Sequence, residues 1–374
     1  MKHNIAFSLI AGLALAASVP AFADSDFSVT GGRGFPVSLN AADCTDHCGT
    51  FPVNRNRKFS SEYDTVLIQG MMPQAGTEVS LLLPAKDANG AVTELRPVKT
   101  YRTSSGRFWA KYLIPSKTGE AINFRMHPKK AGESITLYDV EAYKASDIKE
   151  ENAPSKNKKS AEKARAFNPS DYGVHVISRE EWGAKAPNGE YTEHSPNKFT
   201  LHHTAGNYPD SKEAAVEEMK FIQNMHMDGQ GWTDIGYHFI IDPFGDIFEG
   251  RPVGVVGAHT YGANTDNIGI SIMGYYHSPR NDVFTDASHN ALVGLGIYIK
   301  DYFGIKSNQF FGHRDLGSTA CPGDGIYALM ETIRGEIFNN TRSSSPVNMD
   351  YNGQNITMTP AQKKALEALT NTKF

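Results

Sequence analysis

A charged stretch with few apolar residues divides this chain of 374 residues into two parts with different hydrophobic patterns. It covers about residues 146–171 and consists mainly of Lys, Glu, Ala and Ser. Because such a segment has no apolar face to bury, we predict a flexible or weakly helical linker. We therefore expect one domain at 24–145, a second at 172–341, and a polar tail at 342–374 with a short helix near Thr359 and Pro360.

The first part contains short runs in which apolar and polar residues alternate, separated by turn-forming residues. Ile122, Phe124 and Met126 fall on one side of such a run. Regularly spaced short strands predict a β-sandwich or jelly roll. A module of this kind either binds sugar or cell wall, or is purely structural. Three of its aromatic residues fit either a binding face or the core. They are Tyr101, Trp109 and Tyr112.

In the second part, strand patterns alternate with helix patterns. The predicted strands are Lys198–His202, Tyr237–Asp242 and Ile268–Met273. The predicted helices run from Asp210 or Ser211 to Met225, and from Ser288 to Phe303. This alternation indicates an α/β domain with a mixed central sheet flanked by helices.

The first 23 residues have the pattern of a secretory signal. Lys2 precedes an apolar run from Ile5 to Val19, and Ala21-Phe-Ala23 fits a cleavage site. The alternative is an uncleaved membrane anchor, although the run is short for a span of about 20 residues. We expect an exported protein, periplasmic or secreted, with no stable membrane insertion after cleavage.

The bulk composition limits the class of protein. Hydrophobic residues make up 40% and charged residues 21%, which is typical of globular proteins. The formal net charge of −4 gives no reason to expect nucleic-acid binding, because phosphate neutralisation needs clustered Lys and Arg.

Three cysteines remain after the predicted cleavage. Cys44 and Cys48 lie close together, and a local disulfide is their simplest use in an oxidising compartment. Cys321 then has no partner, which is explained either by burial or by metal ligation.

His202 ends a predicted strand, while His313 and Cys321 share one glycine-rich loop. Two imidazoles and one thiolate suit zinc and leave a fourth position for water. The alternative is that each is an ordinary buried or surface residue. His203 is next to His202, and since adjacent strand residues point to opposite faces, only one of the two can easily reach the same ion.

The second part also resembles the peptidoglycan recognition proteins and the related N-acetylmuramoyl-L-alanine amidases. The resemblance covers roughly Val176 to Ile333. It is carried by the ordered blocks Ile177-Ser-Arg-Glu-Glu-Trp-Gly-Ala184, His202-His-Thr-Ala-Gly206, Gly231-Trp-Thr-Asp-Ile-Gly-Tyr-His-Phe239, Phe248-Glu-Gly-Arg251, Gly257-Ala-His-Thr260, Asn267-Ile-Gly-Ile-Ser271 and Cys321-Pro-Gly323.

The resemblance implies one catalytic zinc ion held by His202, His313 and Cys321, with Tyr237 and Thr319 as catalytic residues. It implies cleavage of the amide between N-acetylmuramic acid and L-alanine in peptidoglycan. The alternative is a receptor that binds peptidoglycan without cutting it, and such relatives typically lack a zinc ligand. Cytosolic anhydro-muropeptide amidases carry a Glu near Ser271 and an Asp in place of the cysteine, so this chain differs from them at both points.

The resemblance also implies a peptide groove. Its residues are His226, Gly231, Trp232, Arg251, His259 and Asn264. The set Gly231, Trp232 and Arg251 is associated with stems that contain meso-diaminopimelate, whose extra carboxylate suits a bidentate guanidinium. The alternative is that Trp232 is a core residue and Arg251 forms a surface ion pair.

Overall fold

The computed structural model describes residues 35–44, 48–51, 62–83, 92–146, 164, 166–168 and 174–340. The predicted signal, most of the predicted linker and the predicted C-terminal helix lie outside these residues. Among the helices that are described, none is both long and apolar enough to cross a membrane.

Residues 35–146, called the β-region below, form two antiparallel sheets. The five-stranded sheet has the order β1-β9-β3-β7-β6, and the four-stranded sheet has the order β2-β8-β4-β5. The strands are β1 (Val37–Asn40), β2 (Thr50–Phe51), β3 (Tyr63–Met71), β4 (Glu78–Leu83), β5 (Thr93–Leu95), β6 (Lys99–Arg102), β7 (Arg107–Thr118), β8 (Ile122–His127) and β9 (Ser134–Tyr143). A 3₁₀ turn, Ala41–Asp43, follows β1.

The two sheets share one apolar core because their strands alternate. In β8, Ile122, Phe124 and Met126 are buried, while the residues between them are half-buried. They pack in one cluster with residues of the other sheet, such as Val66 and Val140. Cys44 and Cys48 form a disulfide at the edge of this core.

Residues 174–340, called the α/β-region below, contain a six-stranded mixed sheet of order β10-β13-β12-β14-β11-β15. β12 and β13 are antiparallel, and the other pairs are parallel. The strands are β10 (Val176–Ile177), β11 (Lys198–His203), β12 (Phe239–Ile241), β13 (Ile247–Glu249), β14 (Asn267–Ile272) and β15 (Phe310–Gly312). All six residues of β14 are buried, as expected for a central parallel strand.

Helices flank this sheet, which confirms the predicted mixed α/β architecture. They are α1 (Arg179–Trp182), α2 (Lys212–Asn224), a π-helix (Met225–Gln230), α3 (Asp286–Phe303), a 3₁₀ turn (Ser307–Gln309), α4 (His313–Leu316), α5 (Asp324–Tyr327) and α6 (Met330–Asn339). Ser211 caps α2, as one of the two predicted alternatives, by accepting a hydrogen bond from the Ala214 amide. Thr285 caps α3, so that helix begins two residues before the predicted Ser288.

The predicted strand Tyr237–Asp242 is too long. The strand β12 comprises only Phe239–Ile241, because the chain before it pairs with a loop. The Tyr237 and His238 carbonyls accept hydrogen bonds from the amides of Arg251 and Gly250.

An extensive contact joins the two regions. The Arg107 guanidinium of β7 is buried and forms an ion pair with the buried Glu218 carboxylate of α2, with 2.8 Å from Nε to Oε2. The same guanidinium lies over the Phe221 ring at 3.9 Å. Trp109 is fully buried and packs in one apolar cluster with α2 residues, and Tyr112 is fully buried in the β-region core. Both are therefore core residues and not surface-binding aromatics.

We expect Arg107→Met to lower the free energy of unfolding by about 3–5 kcal/mol, because it leaves the Glu218 carboxylate buried without its cation. The matched control is Arg125→Met, which removes a partly exposed ion pair with Glu94 and should cost at most about 1 kcal/mol. Urea denaturation of both variants measures the difference. Equal losses would contradict the importance of the buried pair.

Candidate metal centre

The parallel pairing of β11 with β15 brings two histidines together. In this register Leu201 lies opposite Gly312, so the next residues along the two strands are His202 and His313. Their rings are 4.5 Å apart between centroids, and both side chains are buried. Strand β11 and the first residue after β15, which begins α4, thus supply two imidazoles from distant points in the sequence.

Cys321 reaches the same point from the loop that follows α4. Its Sγ lies 3.6 Å from Nδ1 of His202 and accepts a hydrogen bond from the His203 amide at 3.4 Å. The Cys321 amide in turn donates to Oγ1 of Thr319 at 3.1 Å. These bonds hold a buried thiol against the two rings, which gives the lone cysteine a role beyond packing.

The ligand atoms of His202, His313 and Cys321 all lie within 4.8 Å of one another. Two nitrogens and one sulfur form a donor set that zinc prefers. Typical zinc bond lengths place a nitrogen and a sulfur on one tetrahedral ion about 3.5 Å apart. The 3.6 Å between Nδ1 of His202 and Sγ of Cys321 agrees with that value. The residues present therefore fit a zinc ion.

His259 determines which nitrogen of His202 is available as a ligand. Nε2 of His259 lies 3.2 Å from the Asn267 carbonyl, which can only accept, so this nitrogen carries the proton. Nδ1 of His259 is then an acceptor, and it lies 3.0 Å from Nε2 of His202. His202 therefore carries its proton on Nε2, and its Nδ1 lone pair faces Cys321.

Burial keeps these imidazoles in the neutral form that ligation requires. It lowers the pKa of His202 well below the usual value, and the neighbouring His313 and His259 lower that pKa further. Burial also lowers the pKa of His259 to about 3. Both rings are consequently uncharged at neutral pH and can offer lone pairs.

His203 has different surroundings from His202. Its ring lies near the rings of Tyr275 and His277, at 5.9 and 5.8 Å between centroids. The three-residue cluster of ligand atoms does not include it. This agrees with the expectation that only one of the two adjacent histidines reaches the ion.

Tyr237 and Thr319 both lie beside the cluster. The ring of Tyr237 is half-buried and 5.3 Å from the ring of His202. Thr319 is buried and touches the cluster through its hydrogen bond from the Cys321 amide. The structure thus brings together all five residues for which we expected metal binding or catalysis.

The residues expected in the peptide groove fall into two groups. The rings of His226 and Trp232 are 4.8 Å apart between centroids and tilted by 42°, and the ring of His226 is 5.7 Å from that of Tyr237. Gly231 ends the π-helix with a φ of 86°, a conformation that favours glycine, and it is exposed. His226 thus connects Trp232 with Tyr237, and Gly231 directly precedes Trp232 in the chain.

The other three groove candidates are buried and bond to the backbone. Arg251 donates from Nε to the Ile235 carbonyl and from its two Nη atoms to the carbonyls of Val256 and Asp234. The alternative interpretation, in which Arg251 forms a surface ion pair, is therefore wrong. Its charge acts on the groove, because burial and Arg251 lower the pKa of His226 to about 3.

Asn264 shapes the loop that carries His259. Its Oδ1 accepts hydrogen bonds from the amides of His259 and Thr260, at 2.8 and 2.7 Å. Asn264 thereby orients His259, whose Nδ1 accepts the hydrogen bond from Nε2 of His202. Sequence reasoning missed this supporting role of Asn264 and His259, since the pairing with His202 spans 57 residues and no local pattern marks it.

Comparison with known proteins finds relatives of the α/β-region. A family model described as N-acetylmuramoyl-L-alanine amidase matches residues 192–324. Peptidoglycan-recognition protein SC2 of Drosophila simulans is 39% identical over 162 residues, which cover 43% of this chain and 86% of that protein.

Two further proteins are similar to part of this chain. A human N-acetylmuramoyl-L-alanine amidase is 34% identical over 139 residues, which cover 35% of this chain and 23% of that protein. The crystal structure of Drosophila peptidoglycan recognition protein SD aligns with a TM-score of 0.40 and 28% identity, covering 42% of this chain and 94% of that one.

We expect His259→Ala to weaken zinc affinity about 10- to 100-fold, because the proton on Nε2 of His202 loses its acceptor. Competition with a chromophoric chelator measures this affinity without reference to activity. His226→Ala is the matched control, since it removes a buried histidine outside the ligand cluster and should leave the affinity unchanged. Wild-type affinity in His259→Ala would show that the contact does not support the site.

Proposed function

The chain belongs to the family of peptidoglycan-recognition proteins and N-acetylmuramoyl-L-alanine amidases, and from that premise we propose that it is a zinc-dependent hydrolase of the amide bond between N-acetylmuramic acid and L-alanine. The observation that carries the proposal is the buried set of His202, His313 and Cys321 beside Tyr237. A module that only binds cell wall has no need of this set. Three protein ligands would leave one zinc position for water, as in catalytic zinc sites.

A zinc ion held by these residues would lower the pKa of a coordinated water to about 7 and polarise the scissile carbonyl. The remaining chemistry belongs to the chain. The Tyr237 phenol is half-buried beside His202, where it can donate a hydrogen bond to the oxygen of the carbonyl as negative charge develops there. The Thr319 hydroxyl lies next to Cys321 and is the second candidate donor.

The groove residues would orient the peptide stem. The rings of His226 and Trp232 are in contact next to Tyr237, which suits contact with the stem beyond the scissile bond. We propose that the stem contains meso-diaminopimelate. The positive charge of Arg251 supports this, since the pKa of the neighbouring His226 responds to it and the extra carboxylate of that residue would be attracted to it.

The remaining features of the proposal come from the sequence. We propose the domain division 24–145, 146–171 and 172–341, and a β-sandwich for the first domain, which its two sheets with a shared core support. Export by residues 1–23 to the periplasm or the exterior stays a prediction. A wall- or sugar-binding role of the first domain also stays a prediction.

Purified protein with zinc should release stem peptides from sacculi, as detected by mass spectrometry, and a chelator should stop the release. Cys321→Ser should reduce cleavage to background because it replaces the thiolate, while binding to sacculi stays within about twofold. The matched control is His203→Gln, which should keep zinc and cleavage. Cleavage by Cys321→Ser at the wild-type rate would contradict the ligand set, and binding without cleavage by the wild type would indicate a receptor.

The preference for the stem can be tested by comparing kcat/KM on substrates with meso-diaminopimelate and with lysine. We expect the wild type to favour meso-diaminopimelate by roughly tenfold, which corresponds to about 1.4 kcal/mol of attraction between the buried Arg251 charge and the extra carboxylate. Arg251→Gln should bring the ratio close to one, and Arg251→Lys should retain part of it because it keeps the charge. Equal rates on both substrates in the wild type would refute the preference.

A further inference from the structure

The π-helix Met225–Gln230 is held from outside by charged groups of the β-region. Nζ of Lys111, on β7, donates to the Gly229 carbonyl at 2.8 Å. Nζ of Lys99, on β6, forms an ion pair with Asp228 at 2.6 Å. Gln230 donates to the Glu141 carboxylate of β9. Three strands of one region thus bind the last turn of a helix in the other.

A second set of contacts fixes the beginning of the same turn. Nε1 of Trp109 donates to Oδ1 of Asn224 at 2.9 Å, and both side chains are buried. Nδ2 of Asn224 donates to Asp228 at 2.8 Å. Asp228 is also the residue that forms the ion pair with Lys99. The turn is therefore connected to the β-region at both ends.

The inner side of the same turn faces the proposed substrate groove. Nδ1 of His226 accepts a hydrogen bond from the Gly236 amide at 3.0 Å, and its ring contacts Trp232 and Tyr237. The π-helix ends at Gln230, and Gly231 and Trp232 follow it directly in the chain. A shift of the turn would consequently move the groove residues and the tyrosine.

The support has a physical reason. π-helical turns are rare, and they are frequent at functional sites. The final carbonyls of a helix lack partners within the helix and carry partial negative charge. Lys111 and Lys99 place two ammonium groups at this end. The Lys111 ammonium donates to the Gly229 carbonyl, and both positive charges interact favourably with the negative end of the helix dipole.

We propose that the β-region supports the π-helix as one wall of the peptide-binding groove, and that Lys111 is a positioning residue that holds this helix in the conformation that binds the stem. This inference rests on the proposed function, because it concerns the substrate of the same site. Lys111 acts through the Gly229 backbone and does not touch the substrate. The two regions consequently act as one binding unit and not as an enzyme with a tethered anchor.

The test uses the full chain with the variants Lys111→Met and Lys111→Arg, and a muramyl tripeptide with meso-diaminopimelate as the probe. For Lys111→Met we expect KM to rise about five- to tenfold while kcat and zinc content stay within twofold, because a charged hydrogen bond to the turn is lost. Lys111→Arg should restore most of the binding. The matched control Lys129→Met, an exposed lysine between β8 and β9, should behave as the wild type.

Binding of the same probe to zinc-free protein carrying Cys321→Ser separates this inference from the proposed function. Weaker binding caused by Lys111→Met in that background supports the inference even if the wild type cleaves nothing. Unchanged KM and unchanged binding would overturn it, and so would a fall in kcat with KM unchanged. If Lys111→Met does not fold, Lys99→Met replaces it with an expected two- to threefold effect, and no effect there overturns the inference.

Discussion

The parallel pairing of β11 with β15 is the constraint on which the site depends. It places His202 beside His313, and the loop after α4 then has only to return Cys321 to that point. A shift of the register by one residue would turn one imidazole to the opposite face of the sheet. The apolar residues of these strands, such as Phe199 and Phe310, stack at 4.6 Å and so hold both the core and the geometry of the ligands.

Hydrogen bonds from neighbouring residues hold the metal ligands in position. His259 receives the proton of His202, Asn264 holds the backbone of His259, and the Thr319 hydroxyl accepts from the amide of Cys321. Burial keeps the imidazoles of His202 and His259 uncharged. On the other side of the groove, the β-region supports the turn that carries His226. Both faces of the proposed active site are therefore preorganised by hydrogen bonds within the protein.

Part of this arrangement could be predicted from sequence: the spacing of His202, His313 and Cys321 permits a zinc site, and the family resemblance assigns these ligands together with Tyr237 and Thr319. The alternation of strands and helices predicted the mixed sheet, and Ser211 was recognisable as a cap. The contacts of Lys111, Trp109 and His259 were not predictable, since they join residues 57 to 118 positions apart. The alternation of apolar and polar residues indicates which face of a strand is buried but not what packs against it. Trp109 therefore fitted a binding face and a core equally well.

X-ray absorption spectroscopy at the zinc edge of the zinc-loaded protein tests the central claim most directly. A site made by two imidazoles and one thiolate predicts one sulfur at about 2.3 Å and two nitrogens at about 2.0–2.1 Å, together with one further light atom from solvent. A spectrum with no sulfur scatterer would mean that Cys321 is not a ligand. It would contradict the assignment of this centre and the hydrolysis that depends on it.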